Sequence, residues 1–158
     1  MTADFARVFR DANAAGLPFV VVGGIAVVRH GVVRATRDID LIVEPTESAT
    51  AALRELVSSW GATFASGASI DLERVVAGRL VPLRTPFAYV DVLPEPPAPL
   101  SYAELAVRAD VKRVDGEPVP ICSLADLVAL KRIAGRPRDE QDLADLEAVH
   151  GTLPPPPT

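Results

Sequence analysis

Residues 38–44 read Asp-Ile-Asp-Leu-Ile-Val-Glu, and they constrain the fold more than any other stretch. Strict alternation puts Ile39, Leu41 and Val43 on one side of an extended segment, with Asp38, Asp40 and Ile42 on the other. A helix would scatter these side chains around its circumference, so the segment is a strand, ended by Pro45. Phe19–Val22 is a second, buried strand stopped by Gly23-Gly24, and Phe87–Leu93 is a third. Val111–Val114 and Pro118–Ile121 form a hairpin turned through Asp115-Gly116. Ile70–Leu72 and Val75–Leu83 are candidates for two further short strands.

Between these strands the spacing changes to that of helices. Phe5, Val8 and Ala12 mark a helix within residues 3–15 that ends at Gly16, and Ile25–His30 is a short helix closed by Gly31. Thr46 caps a helix that continues to about Trp60, and Ser101 caps another to about Arg108. Ser123, with Asp126 at the capping-box position, opens a helix ending at Gly135, and Pro137 opens a last one to about His150. Strands that alternate with helices at both ends predict an α/β (α+β) domain with a mixed sheet flanked by helices. The 158 residues suit one domain over 1–150, with the Pro-rich 151–158 as a disordered tail.

Composition narrows the function classes. Hydrophobic residues make up 49% but aromatics only 5%, so Val, Leu, Ile and Ala build the core. Sixteen basic against twenty-one acidic residues give a net charge of −5, which argues against a module held to RNA by bulk charge. It leaves room for a local basic patch, and Arg29, Arg34 and Arg37 form one. Cys122 is the single cysteine, so the chain has no intrachain disulfide and no zinc-type spacing. The longest apolar stretch, Leu17–Val28, falls short of the about 20 residues of a membrane span. Arg29-His30 then stands where a signal peptide would need small residues. These features predict a cytoplasmic protein.

Three features carry chemistry, each with two readings. Gly23-Gly24 between a strand and a helix is either a plain turn or a place where backbone N–H groups approach a phosphate. Asp38 and Asp40 share one strand face; about 5 Å apart at an effective dielectric of about 20 they repel by about 3 kcal/mol. They are either a solvated strand end or ligands of a divalent cation such as Mg²⁺. Asp91 interrupts the apolar Ala88–Leu93 and shares a face with Tyr89. It is either a satisfied edge acid or a third carboxylate, serving as metal ligand or as general base for an acceptor hydroxyl. The three arginines either clamp a triphosphate or neutralise nearby acids. His30 reads as a structural residue.

The spacing of Gly23-Gly24, Asp38-Ile39-Asp40 and Asp91 resembles the nucleotidyltransferase superfamily, the DNA polymerase beta-like fold. The resemblance is nearer still to small bacterial proteins related to abortive-infection and toxin–antitoxin nucleotidyltransferases. It rests on Gly23–Val27, Arg34–Leu41, Ser123–Lys131 and Gly135–Asp139, and spans roughly residues 17–148. It implies transfer of a nucleoside monophosphate from an NTP to an acceptor hydroxyl, with release of pyrophosphate and two Mg²⁺ ions as cofactors. By position, Asp38, Asp40 and Asp91 would be the catalytic and metal-binding carboxylates. Gly23, Gly24, Thr36, Arg37 and Lys131 would bind nucleotide, although Lys131 also suits a cation at a helix C-terminus. Arg136 and Arg138 would pin the turn between the last two helices, and Asp139 would cap the final one. The acceptor is left open between RNA, protein and a small molecule, and a cognate antitoxin or toxin is an expected partner. A catalytically silent, nucleotide-binding or antitoxin-like regulatory protein is the alternative.

Overall fold

The computed structural model describes residues 3–68 and 78–158. Within them, seven strands form one sheet in the order β3-β4-β5-β2-β1-β7-β6. The strands are β1 (Phe19–Val22), β2 (Asp38–Val43), β3 (Thr63–Phe64), β4 (Val81–Arg84), β5 (Tyr89–Leu93), β6 (Asp110–Val114) and β7 (Glu117–Ile121). The helices are α1 (Phe5–Ala14), α2 (Gly23–Arg29), α3 (Glu47–Trp60), α4 (Tyr102–Arg108), α5 (Leu124–Ala134) and α6 (Pro137–His150). The sheet is mixed: β2 runs antiparallel to β1 but parallel to β5, and β1 runs parallel to β7. The expected fold class is therefore the observed one.

Alternation in the sequence becomes two-sidedness in the fold. Ile39, Leu41 and Val43 are buried, as are Val90 and Val92 of β5 beside them. Burying such a side chain contributes about 1.5–3 kcal/mol, so the apolar face fixes the register of β2 against its neighbours. Phe9 of α1 stacks on Phe19 of β1, and Asp11 accepts a hydrogen bond from Trp60 Nε1 at 2.8 Å, which ties α1 to α3. Thr46 Oγ1 accepts from Ala49 N at 3.2 Å and Ser123 Oγ from Asp126 N at 3.1 Å, so both helices start at their caps. Ser101 differs. Its hydroxyl donates to Glu104 Oε2 at 2.8 Å and does not cap the backbone.

Two other expectations change. Helix α2 begins at Gly23, not at Ile25, so the two glycines are its first turn and not a stop before it. Between α3 and β5 the described strands are β3 and β4, while Ile70–Leu72 and the start of Val75–Leu83 lie outside the described residues. Residues 153–158 have no regular secondary structure; Leu153 packs against the core and Arg132 Nη1 donates to the Pro154 carbonyl at 3.4 Å. No described helix is long and apolar enough to cross a membrane.

Candidate active site

The parallel pairing of β2 with β5 sets the site. Its register puts Asp38 beside Tyr89, Asp40 beside Asp91 and Ile42 beside Leu93. Side chains two apart share a face, so all three sequence-predicted carboxylates come together on one side of the sheet. They line one cleft of about 1000 Å³, together with Gly23, Gly24, Thr36, Arg37 and Lys131. An adjoining groove of about 880 Å³ shares Thr36, Arg37 and Tyr89 with it and adds Arg84.

The glycines are there because the carboxylate is. A Cβ on Gly23 would lie 1.9 Å from Asp40 Oδ2, and φ of +66° is itself costly for any other residue. On Gly24 a Cβ would come within 2.8 Å of Thr36 Oγ1, and Gly24 N–H donates to the Asp40 carboxylate. Thr36 thus seats against α2, its hydroxyl directed to the Asp38 carbonyl at 3.4 Å.

Burial and like charge act together on this cluster. Burial, and then the neighbouring Asp38, raises Asp40 above the usual carboxylate range. Burial also pushes Asp91 up to about 6, with the charges of Asp40 and Asp38 adding to the effect. Among the described residues none of the three is in a salt bridge. Nor are any three His, Cys, Asp or Glu side chains in the described residues already gathered as a cation-binding group.

The opposite wall carries a paired network. Lys131 Nζ lies 2.9 Å from Asp139 Oδ1 and 2.8 Å from Asp142 Oδ2. The contact to Asp142 Oδ2 is one of charge and not an aligned hydrogen bond. Asp142 also pairs with Arg34, and Asp139 with Arg136, whose Nε donates at 2.7 Å and whose backbone N–H donates at 3.2 Å. Burial would raise Asp139, but hydrogen bonds from Arg136 and Lys131 outweigh it and hold its carboxyl at about 2. Lys131 is therefore held at the cleft wall by two carboxylates, and its charge also steadies Asp40.

The expected cluster of three arginines is divided. Arg37 lines the cleft, Arg34 is engaged by Asp142, and Arg29 sits in the last turn of α2. Asp142 was not singled out from the sequence. Its spacing of three from Asp139 is the only local signal, and its partner Arg34 is 108 positions away. His30 is structural: its Nε2 is 2.8 Å from the Cys122 carbonyl, and its pKa is lowered by burial.

Comparison with known proteins identifies the family and the fold. Residues 7–156 match the family described as nucleotidyl transferase AbiEii toxin, type IV TA system. The chain belongs to that family. Its fold is shared by the antibiotic-resistance factor ANT(2'')-Ia, whose solution structure aligns with a TM-score of 0.61 and 17% identity over 93% of this chain and 82% of that one. A crystal structure of ANT(2'')-Ia with adenylyl-2''-tobramycin gives a TM-score of 0.61 and 16% identity, covering 93% and 87%. An antigenic nucleotidyltransferase-like protein from Paracoccidioides brasiliensis gives a TM-score of 0.61 and 17% identity, covering 88% and 70%. Comparison with curated proteins gives no match.

Proposed function

We propose that this AbiEii-family chain transfers a nucleoside monophosphate from an NTP to an acceptor hydroxyl, and acts in the cytoplasm as the toxin of a toxin–antitoxin pair. The observation that carries this reading is the pairing of Asp40 with Asp91 across β2 and β5, beneath a glycine that Asp40 leaves no room to replace. Three carboxylates brought together with no ion pair of their own among the described residues form a site that favours a ligand bringing cations.

The donor set fits Mg²⁺, a hard cation that selects carboxylate oxygens; Asp40 and Asp91 are raised by burial first and by like charge second, and a bound cation would offset both. Asp38, Asp40 and Asp91 would hold it. When bound, Mg²⁺ neutralises phosphate charge and orients the reacting groups. The protein's own groups do the rest. Gly23 and Gly24 let the triphosphate approach the start of α2, and Arg37 and Lys131 add positive charge along the cleft. Asp91 is placed to accept the proton of the acceptor hydroxyl. The acceptor oxygen bonds to the α-phosphorus as the bond from that phosphorus to the bridging oxygen breaks, and pyrophosphate leaves.

A second reading is a regulatory protein that binds nucleotide without turnover, which the same cleft of carboxylates, Arg37 and Lys131 would serve. A single experiment separates the two. The purified protein is incubated with Mg²⁺, each labelled NTP and a cell extract offering RNA, protein and small-molecule acceptors, and pyrophosphate and labelled product are followed. Release that disappears in Asp40→Ala supports transfer. Nucleotide binding by calorimetry without release supports the regulatory protein.

A further inference from the structure

The sheet ends in two edges of different length. The β3 edge is two residues long, whereas β6 offers five, Asp110–Val114, with β7 as its neighbour among the described residues. Asp115 and Gly116, both at positive φ, make a two-residue turn that closes the hairpin at the pair Val114 and Glu117. In such a hairpin the closing pair exchanges backbone hydrogen bonds, and so does every second pair beyond it, Lys112 with Val119 and Asp110 with Ile121. Val111 and Arg113 alternate with these, so their N–H and C=O groups point away from β7, to the free edge. Their partners agree with this phase. Pro118 and Pro120 have no N–H to give, and the Pro118 carbonyl accepts from Asn13 Nδ2 of α1 at 2.9 Å.

Natural edges are blunted by bulges, prolines, covering elements or charge. The β6 register has no bulge and the strand no proline, and Val111 is 71% exposed. Val107, in the last turn of α4 just before it, is 86% exposed. Asp110 and Lys112 share one face with opposite sign, and neither is in a salt bridge among the described residues. Arg113, on the Val111 face, turns its guanidinium back to the Gly116 carbonyl at 2.7 Å.

We infer that β6 is the contact surface for a second copy of this chain, paired antiparallel to itself around a two-fold axis at Val111. A strand meets its own copy in reversed order, so the position of the axis fixes every pair. An axis at Asp110, Lys112 or Arg113 sets that residue against its own like charge, which is unfavourable between directly opposed side chains. An axis at Val114 runs the partner into the Asp115-Gly116 turn. The axis at Val111 has neither fault. It lets the two outward Val111 backbones exchange hydrogen bonds, lays one exposed valine against the other, and puts Asp110 of each copy opposite Lys112 of the other. Five residues a side is far short of the about 20–30 of a standard interface, so the dimer is weak and forms only as concentration rises. β7 and β1 separate β6 from β2, so the pairing leaves the carboxylate-bearing strands untouched.

Sedimentation of the full chain, from low micromolar to near-millimolar concentration at low ionic strength, tests this. The expected mass rises toward twice that of one chain. Asp110→Lys and Lys112→Asp each place like charges opposite one another, and each should weaken association by at least about tenfold. Mixed in equal amounts, the two variants again face opposite charges at both pairs and should associate about as tightly as the parent. That rescue needs folded edges, so it separates lost pairing from lost folding. A parent that stays a single chain at the highest concentration overturns the inference. So does association that either variant leaves unchanged, or a mixture that associates no better than the variants alone.

Discussion

Two charged clusters meet at the same cleft and are built on opposite principles. On the sheet, Asp38, Asp40 and Asp91 stand together without an ion pair among the described residues, and both Asp40 and Asp91 are pushed upward. On the helices, Arg34, Asp142, Lys131, Asp139 and Arg136 alternate in sign, and the buried Asp139 is held down at about 2. Both clusters bring charge out of water, at a cost that only partners offset. The fold supplies those partners on the helix side and withholds them on the sheet side. The helix cluster links α5 and α6 to the loop before β2; the sheet cluster is the one that the proposed ligand would complete.

Substitutions should therefore separate the two. Asp40→Ala should lower pyrophosphate release by about 10³-fold or more while the cation-free protein melts no earlier, because a repelling charge has gone. Gly23→Ala should lose both activity and stability, since its Cβ collides with Asp40 Oδ2. On the helix side, Asp142→Ala leaves the largely buried Arg34 and Lys131 each short of a partner, and should cost about 3–5 kcal/mol in urea unfolding. Replacing Lys131 and Asp142 together by Met and Leu should recover part of that loss. If Asp40→Ala unfolded the protein and Asp142→Ala did not, the division between the clusters would be wrong.

How much of this was legible in the sequence follows from the range of each interaction. Strand β2, its two faces and the hairpin β6–β7 depend on alternation and on Asp115-Gly116, which are local, so they could be read directly. The caps at Thr46 and Ser123 were legible for the same reason. That Asp91 stands beside Asp40 depends on strand pairing, which alternation does not specify, and came from the family resemblance. The last helix, from Pro137 to about His150, was legible from its opening proline, but nothing local shows that Asp142 meets Arg34. The start of α2 was misplaced because a glycine pair with one residue at positive φ looks the same as a turn and as a first helical turn. The three arginines looked like one patch because they are close in sequence, yet the loop between α2 and β2 sends them in different directions.

The sheet cluster also predicts a pH dependence. Burial and the neighbouring aspartates push Asp91 up to about 6 in the fold, above the 3.8 of a free carboxyl, so the unfolded chain ionises first as pH rises. The contribution of Asp91 to stability should fall through that window and stay reduced above about pH 6; Asp40 acts in the same direction, and His30, lowered by burial, acts in the opposite one. Asp91→Asn should raise the melting temperature of the cation-free protein by a few degrees at pH 7, with the gain closing toward pH 4. Adding Mg²⁺ should stabilise the parent more than the variant. Melting curves of parent and variant across pH 4–8 with and without Mg²⁺ would show it, and a gain from Asp91→Asn that does not grow between pH 4 and pH 7 would remove the raised carboxyl from the account.

The smallest effects test how far the basic patch belongs to the site. Arg37 lines both the cleft and the adjoining groove, whereas Arg29 lines neither and ends α2. Arg37→Ala should raise KM for NTP several-fold with kcat and melting temperature nearly unchanged, because an exposed cation contributes attraction for phosphate and little else. Arg29→Ala should leave KM where it is and cost at most about 0.3–1 kcal/mol, the contribution of a cation at a helix C-terminus. Equal increases in KM from both variants would restore the three-arginine clamp that the sequence suggests. Unequal ones would show that in this loop direction, and not the number of charges, decides which cation serves the ligand.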